Sequence, residues 1–240
     1  MNLLIDMGNS RVKWRLRQSN LQLAAGGAEY AEGWQWLVEI SAVHQVEHVW
    51  VASVAGTERE GSLNAALAEL QIPAARYAKP APDAGGVRCG YADCQTLGVD
   101  RWLAMVAARS LIDGAVVVVD SGSAITADVV TDAGDHLGGW IGPGVHLMRR
   151  SLAGKSGVLA AALAKPYCAS CAPGVTTQSA IDSAITVMGC GLIDAALRRA
   201  GNCTLILSGG DASVWQEFYP EARLEAELVF IGLEHYFAAP

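Results

Sequence analysis

One short pattern occurs twice in the chain, and it governs what the rest can fold into. Leu3-Leu4-Ile5-Asp6-Met7-Gly8-Asn9-Ser10 aligns with Val117-Val118-Val119-Asp120-Ser121-Gly122-Ser123-Ala124: an apolar strand, then Asp-x-Gly, then small residues. Both copies run on into a second strand candidate, at residues 11–16 and 125–130. Each copy therefore reads as a β-hairpin whose turn carries Asp-x-Gly. A third strand candidate follows in each half, residues 48–54 and 204–208, with Gly56 and Gly209 close behind. Two copies of one supersecondary plan imply two related lobes of α/β class, expected at residues 1–112 and 113–240. An active cleft is expected at the boundary near Asp113.

Helical periodicity lies between the strands. Residues 32–46 place apolar side chains at 34, 37, 40 and 43, and residues 57–70 align Leu63, Ala66, Leu67 and Leu70. Residues 95–111 form a third predicted helix, with Leu103, Val106, Ala107 and Leu111 inward and Asp100 and Arg101 in its first turn. Residues 178–199 are apolar almost all round, as expected of a helix buried between elements or subunits. Residues 80–90 read as a Pro/Gly-rich connection and residues 151–174 as a longer irregular one.

With 52% hydrophobic and 17% charged residues, the 240-residue chain is too apolar for disorder and rich enough to bury a large core. The formal net charge of −7 repels a nucleic-acid backbone, and the one dense basic cluster, Arg149, Arg150 and Lys155, is too small to offset it. No nucleic-acid partner is expected. Apolar runs such as residues 114–119 fall far short of the ~20 residues of a membrane span, so a soluble, cytoplasmic protein is expected, without membrane partners. Six cysteines without a secretion signal read as reduced thiols. Cys168 and Cys171 have the gap of a zinc half-site, but Cys89 and Cys94 are spaced too loosely to complete it. The five histidines show no ligand spacing. Of the seven tryptophans, Trp102 and Trp140 lie beside glycine motifs as candidate pocket walls, and the others are assigned to packing.

An acidic chain that handles an anion must supply local N–H groups or cations, and glycine turns do this because backbone can approach the anion where no Cβ intervenes. Asp6-Met7-Gly8-Asn9-Ser10 meets that need, and Asp6 at the strand end can hold magnesium directly or through water. A lone Asp-x-Gly is a common turn. Its second copy at Asp120, and a third glycine cluster at Ser208-Gly209-Gly210-Asp211, argue for one nucleotide spread across the cleft with its phosphates gripped from both lobes. Other nucleotide and hydrolase motifs are missing. Gly154-Lys155-Ser156 resembles the end of a P-loop, but Arg149 stands where its leading glycine belongs. Neither Gly-x-Gly-x-x-Gly after a strand nor Gly-x-Ser-x-Gly occurs.

The repeated hairpins resemble the acetate and sugar kinase, Hsp70 and actin superfamily, which implies two ribonuclease-H-like lobes of the actin-like ATPase fold. Four blocks sharpen the resemblance: Asp6-Met7-Gly8-Asn9-Ser10, Leu97-Gly98-Val99-Asp100-Arg101-Trp102, Asp120-Ser121-Gly122-Ser123-Ala124-Ile125-Thr126, and Gly138-Gly139-Trp140-Ile141-Gly142-Pro143-Gly144. In this order they resemble type III pantothenate kinase over essentially the whole chain.

That resemblance implies phosphorylation of pantothenate by ATP and Mg2+, the first step toward coenzyme A. It makes Asp100 the general base, and Tyr91, Gly98, Val99, Asp100 and Arg101 the pantothenate site. Asp6, Met7, Gly8, Asn9, Ser10, Arg11, Val12 and Lys13 with Ser123 become the ATP site. It further implies a monovalent cation, K+ or NH4+, at Asp120, a homodimer, and a substrate contact from Thr177 across the dimer interface, with Thr176 replacing the commoner asparagine. The competing expectations are another small-molecule kinase of the superfamily and a non-catalytic nucleotide-binding regulator.

Overall fold

The computed structural model describes residues 1–19, 21–154 and 157–238, and the packing of its chain defines two units, Met1–Ala107 with Glu227–Pro240 and Ala108–Ala226. The boundary falls inside the third helix. The sequence partition at residue 112 ends the first lobe there, with no return of the C-terminus.

In the first unit, β1 (Asn2–Met7), β2 (Arg11–Gln18), β3 (Leu21–Glu29), β4 (His48–Ser53) and β5 (Ala75–Tyr77) form a sheet ordered β3-β2-β1-β4-β5. β1 runs antiparallel to β2 and parallel to β4. Leu3, Leu4, Ile5 and Met7 of β1 are all wholly buried. A central strand covered on both faces reads as a continuous apolar run, which is why the repeat was conspicuous. Leu3, Ile5 and Met7 pack with Leu37 and Ile40 of α1 (Gln35–Val43) and Leu63 and Leu67 of α2 (Thr57–Glu69). Of the tryptophans expected to pack, Trp14 stacks here on Trp36 with ring centroids 5.3 Å apart.

The helices are shorter than their periodicity suggested. Tyr30–Glu32 form a separate 3-10 turn ahead of α1, and Val43, expected to face inward, ends the helix exposed as the chain passes into extended His44. α3 (Val99–Leu111) begins after another 3-10 turn, Cys94–Thr96. The Pro/Gly-rich connection holds a minimal hairpin, β6 (Asp83–Ala84) with β7 (Val87–Arg88).

The second unit repeats the plan. β8 (Val116–Ser121), β9 (Ala124–Val130), β10 (His136–Pro143), β11 (Thr204–Ser208) and β12 (Arg223–Leu224) are ordered β10-β9-β8-β11-β12, with β8 antiparallel to β9 and parallel to β11. β3 and β10 are strands the sequence reading did not contain. The expected irregular stretch 151–174 is partly helical: α4 (Val145–Ala153) runs into it and α5 (Gly157–Ala162) lies within it. Lys155 and Ser156, and with them part of the basic cluster and of the P-loop-like tripeptide, lie outside the described residues.

α6 (Thr177–Ala200) packs on β9 and β8. By length and composition it could cross a membrane, which corrects the expectation that no apolar stretch approaches that length; its hydropathy comes from Ile181, Ile185, Val187, Leu192, Ile193 and Leu197, which are interspersed with small and polar residues and so form no continuous apolar run. Its inner face nevertheless buries Asp182, Ser183 and Thr186. Asp182 pairs with Arg149 at 3.0 Å and Thr186 bonds the Tyr167 hydroxyl at 2.6 Å, so these polar groups tie α4 and the following loop to the helix. α7 (Ala212–Gln216) follows β11, and α8 (Leu228–Ala238) belongs to the first unit.

Candidate active site

The first Asp-x-Gly turn joins β1 to β2. Asp6 lies opposite Lys13 and Met7 opposite Val12, and the Gly8 N–H donates to Arg11 O at 3.1 Å, closing the turn around Asn9 and Ser10. Alternation along the hairpin separates the expected ATP residues into two groups. Met7 and Val12 point into the core, at 0% and 2% exposure, and can offer a ligand only backbone. Asn9, Ser10 and Arg11 are exposed, while Asp6 and Lys13 are half-buried.

Two residues that the sequence reading missed hold this turn. Tyr30 Oη donates to Gly8 O at 2.7 Å, and Arg59 Nη1 donates to Asn9 O at 2.6 Å. The Arg59 guanidinium lies over the Tyr30 ring, 4.0 Å from its centroid. Burial pushes the Tyr30 phenol above its ordinary pKa, with the Arg59 charge working against the rise and Asp6 adding to it. Tyr30 is therefore a donor at neutral pH.

The second group forms at the start of α3. Gly98 O accepts from Trp102 N at 3.0 Å, opening the helix, and Asp100 Oδ1 accepts from the Arg101 N–H at 2.8 Å. A Cβ at position 98 would stand 2.6 Å from that same Asp100 Oδ1, so glycine is what leaves the carboxylate its place. Arg101 is buried to 6% exposure, and its Nη1 donates to Tyr91 Oη at 2.9 Å. Tyr91, Gly98, Asp100 and Arg101 are thus brought together, with buried Val99 behind them. A pocket of about 320 Å3 opens beside Gly98 and Val99, lined also by Ser53 and Val54 at the end of β4 and by Lys79 and Gln95. Trp102, expected as a pocket wall, is wholly buried, because the helix turns it into the core one position after Arg101; Trp140 is partly exposed on β10.

In the second unit, Asp120 lies opposite Thr126 in the hairpin and beside Ser208 of β11. Three glycine turns converge at this end of the sheet. Gly144 N donates to Ser123 O at 3.1 Å, and a Cβ on Gly144 would meet Gly122 O at 2.0 Å. Gly209, at φ +87°, passes so close to Ser121 that a Cβ would lie 2.2 Å from its carbonyl oxygen, and Asp211 N donates to that oxygen at 2.9 Å. Ser123 is exposed and Asp120 half-buried. At the start of α6 the Thr176 hydroxyl accepts from Ser179 N at 3.1 Å as the helix cap, and Thr177 is exposed. Among the described residues, no group of three or more His, Cys, Asp or Glu side chains could hold a metal, and all six cysteines are free.

Two sheets of one strand order, each with an Asp-x-Gly hairpin at its centre and glycine turns at the carboxyl ends of its parallel strands, define the actin-like ATPase and sugar-kinase class of fold. Solved structures agree. A Campylobacter jejuni protein assigned to the Baf family of transcriptional activators superposes with a TM-score of 0.67 at 21% identity, covering 98% of this chain and 97% of its own. The activator of the 2-hydroxyisocaproyl-CoA dehydratase from Clostridium difficile, with bound ADPNP, gives 0.54 at 10% identity over 99% and 93%. Within that class the chain belongs to the type III pantothenate kinase family, whose model matches residues 2–199. Type III pantothenate kinases of Pseudomonas putida and Pseudomonas aeruginosa are 36% and 37% identical to it, each over 97% of both chains. The chain is a kinase.

Proposed function

We propose that the chain transfers the γ-phosphoryl group of ATP to the primary hydroxyl of pantothenate, giving 4'-phosphopantothenate and ADP, with Asp100 as general base. The observation that carries the assignment is the start of α3, where glycine clears space for the Asp100 carboxylate and the Arg101 guanidinium is fixed beside it. Phosphoryl transfer asks a protein chiefly to position reactants and neutralise charge. Asp100 accepts the hydroxyl proton as the oxygen forms its bond to the γ-phosphorus, and the bond from that phosphorus to the β-phosphate oxygen breaks. Arg101, held beside Asp100 by its hydrogen bond to Tyr91, meets the carboxylate end of pantothenate, for which the planar guanidinium fork is suited. Gly98 and Val99 line the substrate.

The turn from Asp6 to Lys13 and the hydroxyl of Ser123 bind the ATP phosphates. Magnesium is usually held by one or two carboxylates plus substrate phosphates, which fits Asp6 at the strand end with no further protein ligand. When bound, the ion neutralises charge developing on the phosphates. Asp120, at the strand end from which the Gly122 turn leads and beside Ser208 ahead of the Gly209 turn, is the ligand for a monovalent cation, and its oxygen donors suit potassium. We further assign a homodimer through α6, whose outer face presents Ala180, Ala184, Val187 and Met188 to solvent, with Val187 and Met188 half exposed. Thr177 stands at the head of that helix and serves the partner's substrate.

Purified protein given ATP, Mg2+ and K+ is expected to form phosphopantothenate and ADP in equal amounts. Asp100→Asn keeps the fold and nucleotide binding while turnover falls at least ~10²-fold, the low end for removal of a general base. Near-normal turnover in that variant would overturn the role of Asp100.

A further inference from the structure

The peptide units of the Gly8 turn have their orientation fixed from outside the hairpin. In a trans peptide the carbonyl of one residue and the N–H of the next point in opposite directions. Gly8 O and Asn9 N–H belong to one such unit, and Asn9 O and Ser10 N–H to the next. Tyr30 Oη and Arg59 Nη1 hold the two carbonyls at 2.7 and 2.6 Å, and the stacking of the guanidinium on the phenol ring places these donors side by side. Both carbonyls therefore face the same side of the turn. The Asn9 and Ser10 N–H groups are consequently aimed together at the other side, the arrangement that makes a backbone anion cradle.

We propose that Tyr30 and Arg59 are positioning residues for phosphate binding, which lock the two peptide units so that N–H groups, not carbonyl oxygens, meet the triphosphate. This rests on the reading of the Asp6–Lys13 turn as the ATP site. A flipped peptide would turn a carbonyl oxygen toward an anion, and the brace removes that alternative before ATP arrives. The two donors come from separate elements, Tyr30 from the 3-10 turn after β3 and Arg59 from the first turn of α2. The turn is thereby clamped to the sheet and to the helix, and the Arg59 charge adds positive potential behind it.

The test is steady-state kinetics with each substrate varied in turn. Tyr30→Phe removes one hydroxyl and Arg59→Gln removes the charged fork; each is expected to raise KM for ATP about three- to tenfold, the range of one lost hydrogen bond, with KM for pantothenate unchanged. Arg59→Lys, which keeps a cation and a donor, recovers a large part of the loss. If the variants lower the thermal midpoint but leave KM for ATP at the wild-type value, or if KM for both substrates rises in parallel, the residues merely anchor a loop and the proposal falls. Asp6→Asn separates this from the underlying reading. If it impairs ATP use while Tyr30 and Arg59 variants do not, the brace alone is wrong. If it too has no effect, the turn is not the ATP site.

Discussion

Burial raises the Cys190 thiol pKa from 9.0 to about 11, and the nearby Cys171 adds to the rise. Cys190 lies on α6, where the Tyr219 hydroxyl, also pushed upward by burial, donates to Cys190 O at 3.0 Å and to Asp194 at 2.8 Å. A thiol whose folded pKa exceeds its unfolded value contributes stability that is complete below pH 9 and disappears as pH rises through the folded value. We therefore predict that the denaturation midpoint falls between pH 9 and about 11 and that Cys190→Ala flattens part of that fall. An unchanged slope in the variant would contradict it. Iodoacetamide should likewise label exposed Cys168 and Cys171 before Cys190. Other residues differ in how visible they were in the sequence. Asp100, Arg101 and Gly98 were legible because their chemistry lies within four consecutive positions. Tyr30 and Arg59 were not, since they act on backbone carbonyls far away in sequence, and a single Tyr and Arg leave no spacing to read.

Glycine has opposite meanings in two helices, and the difference is decided by what surrounds it. Gly61 of α2 has nothing within 4 Å of the point where a methyl group would stand, whereas a Cβ on Gly189 of α6 would lie 2.1 Å from the ring of Trp215, which is wholly buried. Replacing a mid-helix glycine by alanine gains about 1 kcal/mol of propensity. Overpacking a rigid core costs about 1–3 kcal/mol, so the clash wins at Gly189. Thermal denaturation should find Gly61→Ala more stable than wild type and Gly189→Ala less; a stabilised Gly189→Ala would mean that Trp215 is free to move. The same weighing explains which elements were readable. β1 and β8 announced themselves as apolar runs. β3, with Ala24-Ala25-Gly26-Gly27-Ala28 at its centre, has little strand propensity, and its pairing with β2 is a tertiary choice. β10 shows in the sequence only as a glycine block, because Gly138, Gly139, Gly142 and Pro143 mask its strand character.

The molecule is built from two copies of one plan, but the chain does not deliver them one after the other. The second unit is continuous from Ala108 to Ala226, while the first is completed only by the return from Glu227 onward. No periodicity could disclose this, because α8 is an ordinary apolar helix whose partner is chosen by packing. Leu3, Ile5 and Met7 face α1 and α2, which leaves the other face of the sheet, with Leu4 and Trp50, to be covered by α8. Phe237 stacks on Trp50 at 5.4 Å, and Arg15 and Arg17 bind Glu227 and Glu234 at 2.5 and 2.6 Å. Leu228, Phe230 and Leu233 are buried to 2% exposure or less. At ~1.5–3 kcal/mol each these three contribute ~4.5–9 kcal/mol, comparable to the whole stability of a domain, typically ~5–15 kcal/mol. The first unit should therefore be unable to hold its fold without the C-terminal segment, and the second, complete earlier in synthesis, should fold first. We predict that a fragment of residues 108–226 melts cooperatively by circular dichroism, that residues 1–107 alone do not, and that adding a peptide of residues 227–240 restores a transition to the latter. A cooperative melt of residues 1–107 alone would show that α8 covers a sheet already stable without it.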